Sequence, residues 1–155
     1  MAVKKILRFG DKLLEKVSSR VEIIDDDISA LINDLKDTLM TEKGIGLAAP
    51  QIGVLKKVIY INFKDNETEF VLINPKIIRK SGRVKDAEGC LSYPDFEGIV
   101  ERPKRVTVAG LNEKGKAVIV EGEDLLARAL CHEIDHLDGI LYTKRAKKVY
   151  RLEEE

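Results

Sequence analysis

The chain has 155 residues, a length that fits one domain with a sizeable core, and we expect a single domain over residues 1–155. Hydrophobic residues make up 44% of the sequence and charged residues 35%, which is typical of a soluble globular protein. Lys plus Arg and Asp plus Glu both number 27, so no excess of positive charge indicates a nucleic-acid or membrane partner.

Compartment and redox state follow from two further features of the sequence. No apolar run is long enough to span a bilayer, and the first ten residues match neither a signal peptide nor a transit peptide. A cytoplasmic location is therefore expected. Two cysteines, Cys90 and Cys131, are too few for a disulfide framework and more often bind a metal, take part in catalysis or fill space.

The N-terminal part of the chain predicts one short and one long helical segment. Residues 11–18 fit a short helical turn. A stronger helix is expected after Asp25, which can cap it, and should end near residues 43–44. Its apolar residues recur at helical spacing: Ile28, Leu31, Ile32, Leu35 and Leu39. The run of three aspartates at 25–27 favours a helix cap over a calcium loop, because the spaced ligands of such a loop are missing.

Residues 44–51 (GIGLAAPQ) form an unusual stretch that is a poor helix and a poor strand. Glycines allow a backbone to approach a ligand closely. A phosphate-binding loop is not indicated, because no Gly-Lys-Ser/Thr follows. The apolar residues 47–49 predict that this loop is packed against another element rather than exposed.

The middle of the chain is dominated by strand patterns. Strands are expected over residues 54–62 and 69–73, the second stopped by Asn74-Pro75, with an extended segment reaching residues 81–82. Residues 100–111 and 116–120 fit a hairpin that turns at Lys114-Gly115. The charged residues 144–155 are expected to be solvated or frayed.

Residues 124–138 fit a helix between a possible cap at Asp124 and a terminating Gly139. Both histidines of the chain, His132 and His136, lie on it four residues apart and therefore on one face. Glu133 completes the H-E-x-x-H pattern of zinc hydrolases. The pattern predicts a metal site whose carboxylate handles protons.

The other positions of this helix sort by face. Leu125 and Ala129 share the histidine stripe at the edge of the buried face. Arg128, Cys131 and Asp135 are expected on the opposite, wetter side.

Two imidazoles do not complete a metal site, and the available third ligands are Cys90, Cys131 or a carboxylate. Cys131 lies on the other side of its helix, whereas Cys90, in residues 88–92 (EGCLS), is expected in a turn and free to approach. We infer Cys90, His132 and His136, with water in the fourth position, which favours catalysis. Gln51 and a backbone N–H beside Cys90 are candidate oxyanion donors.

Three motifs together resemble the polypeptide deformylase family. They are residues 44–51 (GIGLAAPQ), 88–92 (EGCLS) and 132–139 (HEIDHLDG), and their order and spacing also agree. The resemblance covers essentially the whole chain. It implies a catalytic domain that removes the formyl group from the N-terminal formyl-methionine of new polypeptides and releases formate.

The resemblance also implies roles for individual residues. Cys90, His132 and His136 would be the metal ligands, and Glu133 the general acid and base. Gln51 and the Leu91 N–H would stabilise the oxyanion. The metal would be Fe²⁺, with Zn²⁺, Ni²⁺ or Co²⁺ as substitutes, although this donor set would also suit zinc.

For the substrate, the resemblance implies backbone pairing with Gly46 and Gly89 and a methionine pocket bordered by Ile45, Leu125 and Ala129. Formylated nascent chains, and with them the ribosome, are the expected partners. We expect an α+β fold, with antiparallel or mixed β-sheets packed around the metal-binding helix and an N-terminal helix.

The chain departs from the family pattern at residues 94–98 (PDFEG), which are acidic where members carry a basic substrate contact. Cys131 stands before His132 where the family often has Gln. The short tail after Tyr142 argues against a long C-terminal helix. Asp135 is expected to form a structural ion pair with a basic residue such as Arg102.

Two rival interpretations remain on the residues alone. A zinc endopeptidase would explain H-E-x-x-H but would give no role to Cys90 or Gln51. A structural or sensory metal module would have four protein ligands and would not need Glu133.

Overall fold

The computed structural model describes residues 2–153, and its fold is α+β, as the sequence predicts. Over these residues the helices are α1 (Asp26–Met40), α2 (Leu125–Leu137) and α3 (Tyr142–Arg145), with short 3-10 helices at Lys12–Glu15 and Ala49–Ile52. The strands are β1 (Gly46–Ala48), β2 (Val58–Asn62), β3 (Glu69–Ser81), β4 (Val84–Cys90), β5 (Tyr93–Arg102), β6 (Arg105–Leu111), β7 (Ala117–Glu123) and β8 (Val149–Arg151).

The strands form two antiparallel sheets, and α2 contacts both of them. The larger sheet has the order β1-β2-β3-β6-β7 and the smaller one β4-β5-β8. Helix α2 packs on β1, β2 and β7 of the larger sheet and on β5 of the smaller one. Among the described strands, β1 and β4 are edges of their sheets, so both keep one side free to pair.

Strand β2 is apolar at successive positions because both of its faces are buried. Val58 and Tyr60 pack in a cluster with α1, whereas Ile59 and Ile61 pack in a second cluster with α2. Side chains along a strand alternate between faces, so a strand covered on both sides reads as a continuous apolar run. The sheet therefore separates two hydrophobic cores, and the second one supports the helix that carries the histidines.

Helix α1 begins as the sequence predicts and ends slightly earlier. The Asp25 side chain accepts a hydrogen bond from the Ile28 N–H at 3.0 Å, which confirms the cap. The helix ends at Met40 rather than near residues 43–44. All five predicted apolar residues of its stripe are buried.

Several predicted boundaries are wrong. Asn74-Pro75 does not stop the strand, because an irregular register between Ile73 and Lys76 accommodates Pro75 within β3. Residues 44–51 include the short strand β1, although residues 47–49 are fully buried as expected.

The charged tail is also more ordered than predicted. Residues 149–151 form β8 and pair with β5, and α3 precedes them. Helix α3 has four residues, which agrees with the expected lack of a long helix in this part of the chain. Over residues 2–153, no helix combines the length and the apolar composition that a membrane span requires.

Candidate metal centre

Helix α2 presents its two histidines to one point. It runs from Leu125 to Leu137, and Gly139 adopts a positive φ of 73° just beyond its end, as a helix-terminating glycine does. Asp124 stands at the N-cap with φ 55° but makes no side-chain cap bond, so its predicted capping role is wrong. The His132 and His136 rings lie with centroids 4.9 Å apart.

The face of α2 that was expected to be wet is buried. Arg128, Cys131 and Asp135 are each less than 9% exposed. Residues of β5 and α3 contact Arg128 and Asp135, whereas Cys131 packs in the hydrophobic cluster with the larger sheet. The buried charges are paired: Asp135 Oδ2 accepts from Arg102 Nη1 at 2.7 Å and from Arg145 Nε at 2.5 Å. The predicted Asp135–Arg102 ion pair is confirmed, and the predicted wet face is wrong.

Strand β4 brings Cys90 to the two histidines. The sequence predicts Cys90 in a turn, but the residue is the last one of this strand. Its Sγ lies 3.3 Å from His136 Nε2, and the candidate ligand atoms of Cys90, His132 and His136 all lie within 4.8 Å of one another. Cys131 is a free thiol packed in the α2 core cluster, where burial raises its pKa.

Glu88 fixes the orientation of His132 from β4. Its Oε2 lies 2.7 Å from His132 Nδ1, which leaves Nε2 of the imidazole for a metal. Arg102 and Arg128 also donate to this carboxylate. Although burial opposes ionisation, the hydrogen bonds and charges of His132 and Arg102 hold the pKa of Glu88 well below its usual range.

Sequence reasoning missed this role of Glu88. The residue was noted only as the start of the EGCLS motif, and an acid two positions before a candidate ligand was the available signal. Its buried partner Arg102 could not be assigned to it from spacing, because 14 residues separate them.

The two imidazoles differ in their protonation tendencies. Burial lowers the pKa of His136 well below its ordinary value. Burial also acts against a charged His132, but the negative charges of Cys90 and Glu133 raise its pKa well above the ordinary value. A cation held by Cys90 would take the place of that proton, since only neutral imidazole ligates a metal.

Glu133 lies beside this cluster with an unsatisfied oxygen. The residue is 5% exposed, and within residues 2–153 its Oε1 has no hydrogen-bond partner. Burial raises the pKa of Glu133 to about 7, against the opposing charge of His132. A Cβ added at Gly46 would lie only 2.7 Å from Glu133 Oε2, so β1 closes directly over the carboxylate.

Gln51 is held in place by hydrogen bonds at both ends of its amide. Its Oε1 accepts from the Ala48 N–H at 3.0 Å. Its Nε2 donates to Ser92 Oγ at 3.1 Å and lies 3.6 Å from Cys90 Sγ. The amide N–H groups are therefore directed toward the ligand cluster, and Ser92 is a second residue that sequence reasoning did not single out.

An open cavity of about 720 Å³ leads to the cluster between β1 and β4. Most residues of the predicted site line it, and His136 lies behind them. The lining includes Ile45, Gly46, Gln51, Gly89, Cys90, Leu91, Leu125, Ala129, His132 and Glu133. A ligand in this cavity can reach both free strand edges and the cluster at once.

The donors present fit a divalent transition metal. One thiolate and two imidazoles around a single ion would lie about 3.5 Å apart in tetrahedral geometry, which the spread within 4.8 Å approaches. With these three residues as its protein ligands, a four-coordinate ion would keep one position for a further ligand, as in catalytic rather than structural sites.

Comparisons with known proteins find similar sequences and structures over nearly the whole chain. Residues 3–151 match the family model described as polypeptide deformylase. Peptide deformylase 2 of Clostridium perfringens is 56% identical over 155 residues, covering 99% of both chains. The crystal structure of a peptide deformylase from Legionella pneumophila is 41% identical, with a TM-score of 0.91 over 94% of this chain and 87% of that one. The Ehrlichia chaffeensis peptide deformylase in complex with actinonin is 37% identical, with a TM-score of 0.91 over 96% of this chain and 91% of that one.

Proposed function

This chain belongs to the polypeptide deformylase family of amide hydrolases, and on that premise we propose that it removes the formyl group from N-terminal formyl-methionine of new polypeptides. The products are formate and a free N-terminal amine. Formylated nascent chains at the ribosome, in the cytoplasm, are the partners that follow from this reaction.

One observation carries the proposal: a three-donor cluster and an unpartnered carboxylate share one cavity. Cys90, His132 and His136 bring their ligand atoms within 4.8 Å of one another. Among the described residues, Glu133 Oε1 is buried and without a partner, as expected of a group that waits for a ligand. A structural metal module would have no use for this carboxylate or for the open cavity.

We propose Cys90, His132 and His136 as the metal ligands and Fe²⁺ as the native metal. Zn²⁺, Ni²⁺ or Co²⁺ could replace it, because a thiolate and two imidazoles also suit these ions. When bound there, the divalent ion supplies an activated water as the nucleophile.

Protein side chains and backbone groups would transfer the proton, stabilise the developing charge and orient a metal ligand. Glu133 accepts a proton at its free oxygen and returns it to the leaving amine. Gln51 Nε2, together with the Leu91 N–H, donates hydrogen bonds to the negative charge that develops on the formyl oxygen. Glu88 keeps the His132 imidazole in the tautomer that ligates the metal.

The cavity walls orient the substrate. Ile45, Leu125 and Ala129 line the cavity and would border the pocket for the methionine side chain. Gly46 on β1 and Gly89 on β4 present free backbone edges to an extended peptide. Such pairing places the formyl end at the ligand cluster and the rest of the chain at the cavity mouth.

The experiment uses anaerobically purified, iron-loaded protein, offered a formyl-Met peptide and an unformylated protein. We expect formate release from the first and no cleavage of the second. Glu133→Ala should reduce kcat by about 10²–10⁴-fold with the metal content unchanged. No formate release with any divalent metal would rule the proposal out, and cleavage of the unformylated protein would favour an endopeptidase.

A further inference from the structure

The Glu97 side chain on β5 lies over Gly89 of β4, the strand whose free edge a bound peptide would pair with. The register between β4 and β5 is irregular here, so that Gly89 faces the Phe96–Glu97 segment of β5. A Cβ built on Gly89 would lie 3.6 Å from Glu97 Cγ. The Glu97 side chain and a side chain at position 89 would therefore share one face of the sheet, but glycine leaves that space free.

A peptide paired with the free edge of β4 would place one side chain on this same face. Directly opposed residues on neighbouring strands point to the same side of a sheet, with Cβ atoms about 4.5–5.5 Å apart. The substrate residue opposite Gly89 would thus face Glu97 across a glycine that contributes no side chain. A short side chain would end above Gly89, whereas Lys or Arg extends about 5–6 Å beyond Cβ and would reach the Glu97 carboxylate.

The charges around Glu97 leave this carboxylate available. Glu97 Oε1 accepts a long bond of 3.4 Å from the Tyr150 hydroxyl, and Glu97 lines the cavity itself. Arg151 pairs with Phe96 in the sheet and lies over the Phe96 ring, 5.8 Å from its centroid. The cavity lining holds two Lys or Arg cations among the described residues: Arg128 is already bound to Glu88, and Lys43 lies near Gly44 and Ile45 on the β1 side of the cavity.

We propose that Glu97 is a specificity-determining residue that favours Lys or Arg over Asp or Glu at the substrate position opposite Gly89. The proposal rests on the proposed function, because it assumes that a formylated peptide pairs with β4. Side chains along an extended peptide alternate between two faces, so only one of the two residues that follow methionine can point toward Glu97. The contact lies at the cavity mouth and is partly solvated. It should therefore change kcat/KM between substrates by a modest factor without preventing the reaction of any of them.

The test compares formyl-Met tripeptides with Lys, Ala or Glu at the second or the third position, by formate release at low ionic strength. We expect kcat/KM for the Lys peptide to exceed that for the Ala peptide by about two- to fivefold at one of the two positions. The Glu peptide should fall below the Ala peptide by a similar factor. Added salt should shrink both differences.

Charge reversal identifies the residue responsible. Glu97→Gln should bring the Lys:Ala ratio of kcat/KM close to one, and Glu97→Lys should invert the order so that the Glu peptide is preferred. Glu101→Gln is the matched control, since Glu101 is an exposed acid of the same strand that does not line this cavity. It should leave the ratio as in the wild type.

Each outcome separates this inference from the proposed function. Formate release from the Ala peptide without a Lys preference at either position would overturn the inference and leave the function standing. An equal change of the ratio in Glu101→Gln would show that the overall field rather than Glu97 sets the preference. No formate from any of the peptides would refute the proposed function and the inference together.

Discussion

Gly46 packs closely against Glu133 in the wall of the cavity. Gly46 is buried on β1, and an added Cβ would lie 2.7 Å from Glu133 Oε2 and 3.1 Å from Ile61 Cδ1. A Cβ essentially never approaches another heavy atom that closely, so any side chain at this position would force the Glu133 carboxylate to move. Glycine is therefore needed here for the close approach of β1 to the carboxylate and not for a turn.

We predict that Gly46→Ala lowers kcat by about 10²-fold, because the methyl group must displace the Glu133 carboxylate by about 1 Å. Steady-state formate release would measure this, with metal content and melting temperature followed in parallel. Gly44→Ala is the matched control, since its Cβ would meet the flexible end of the Leu91 side chain instead, at 2.9 Å. It should cost less than tenfold, and an unimpaired Gly46→Ala enzyme would contradict the proposed role of Glu133.

At the level of elements, sequence patterns predicted the helices better than the strand boundaries. The Asp25 cap and the stripe of α1 followed from local rules, and the spacing of His132 and His136 was enough to place both on one face. The path of β3 through Asn74-Pro75 was not predictable, because a register irregularity with β6 absorbs the proline. Such a feature depends on the partner strand, which the local sequence does not contain.

The prediction that one side of α2 is exposed to solvent was wrong for a related reason. Charged residues at positions such as Arg128 and Asp135 normally indicate a solvated face. Here each charge finds a partner that is distant in sequence, Glu88 for Arg128 and Arg102 for Asp135. The pairing of β4, β5 and α2 through these ions becomes visible only once the fold brings the elements together.

Arg102 is the centre of this ion network, and we predict that Arg102→Met is strongly destabilising. The guanidinium is 4% exposed and bonds to Glu88 at 2.6 Å and Asp135 at 2.7 Å. Its removal leaves two buried carboxylates short of a partner, which should lower the free energy of unfolding by about 3–5 kcal/mol. Since Glu88 orients His132, metal affinity should also fall by about 10–100-fold.

Denaturant unfolding of the metal-free protein and a metal titration would measure the two effects. Arg105→Met provides the control, because Arg105 pairs with Glu123 at the exposed surface at 3.2 Å. That change should cost no more than about 1 kcal/mol and leave metal affinity intact. Equal stability losses in both variants would show that the buried ion network contributes no more to stability than the exposed Arg105–Glu123 pair.

For the whole molecule, the proposed metal ligands come from parts of the chain that belong to two different sheets. Cys90 ends β4 of the smaller sheet, whereas His132 and His136 stand on α2, which packs mainly on the larger one. A metal held by all three would join parts of the chain that are 42 residues or more apart, a separation visible in the numbering of Cys90 and His132. Binding energy at the site should therefore appear as stability of the fold.

We predict that metal loading raises the melting temperature by about 5–10 °C, since ligand at 100 times its Kd adds about 2.7 kcal/mol to the native state and each kcal/mol shifts a chain of this size by about 2–4 °C. Thermal unfolding of chelated and reloaded protein would measure the shift. The two free thiols supply the control: Cys90→Ser should remove the metal-dependent shift, while Cys131→Ser should keep it even though its melting temperature falls in both states. This comparison separates the loss of a ligand from the cost of a polar atom in the core, because only the ligand affects the difference between loaded and chelated protein. A metal-dependent shift that survives in Cys90→Ser would exclude this thiol from the ligand set.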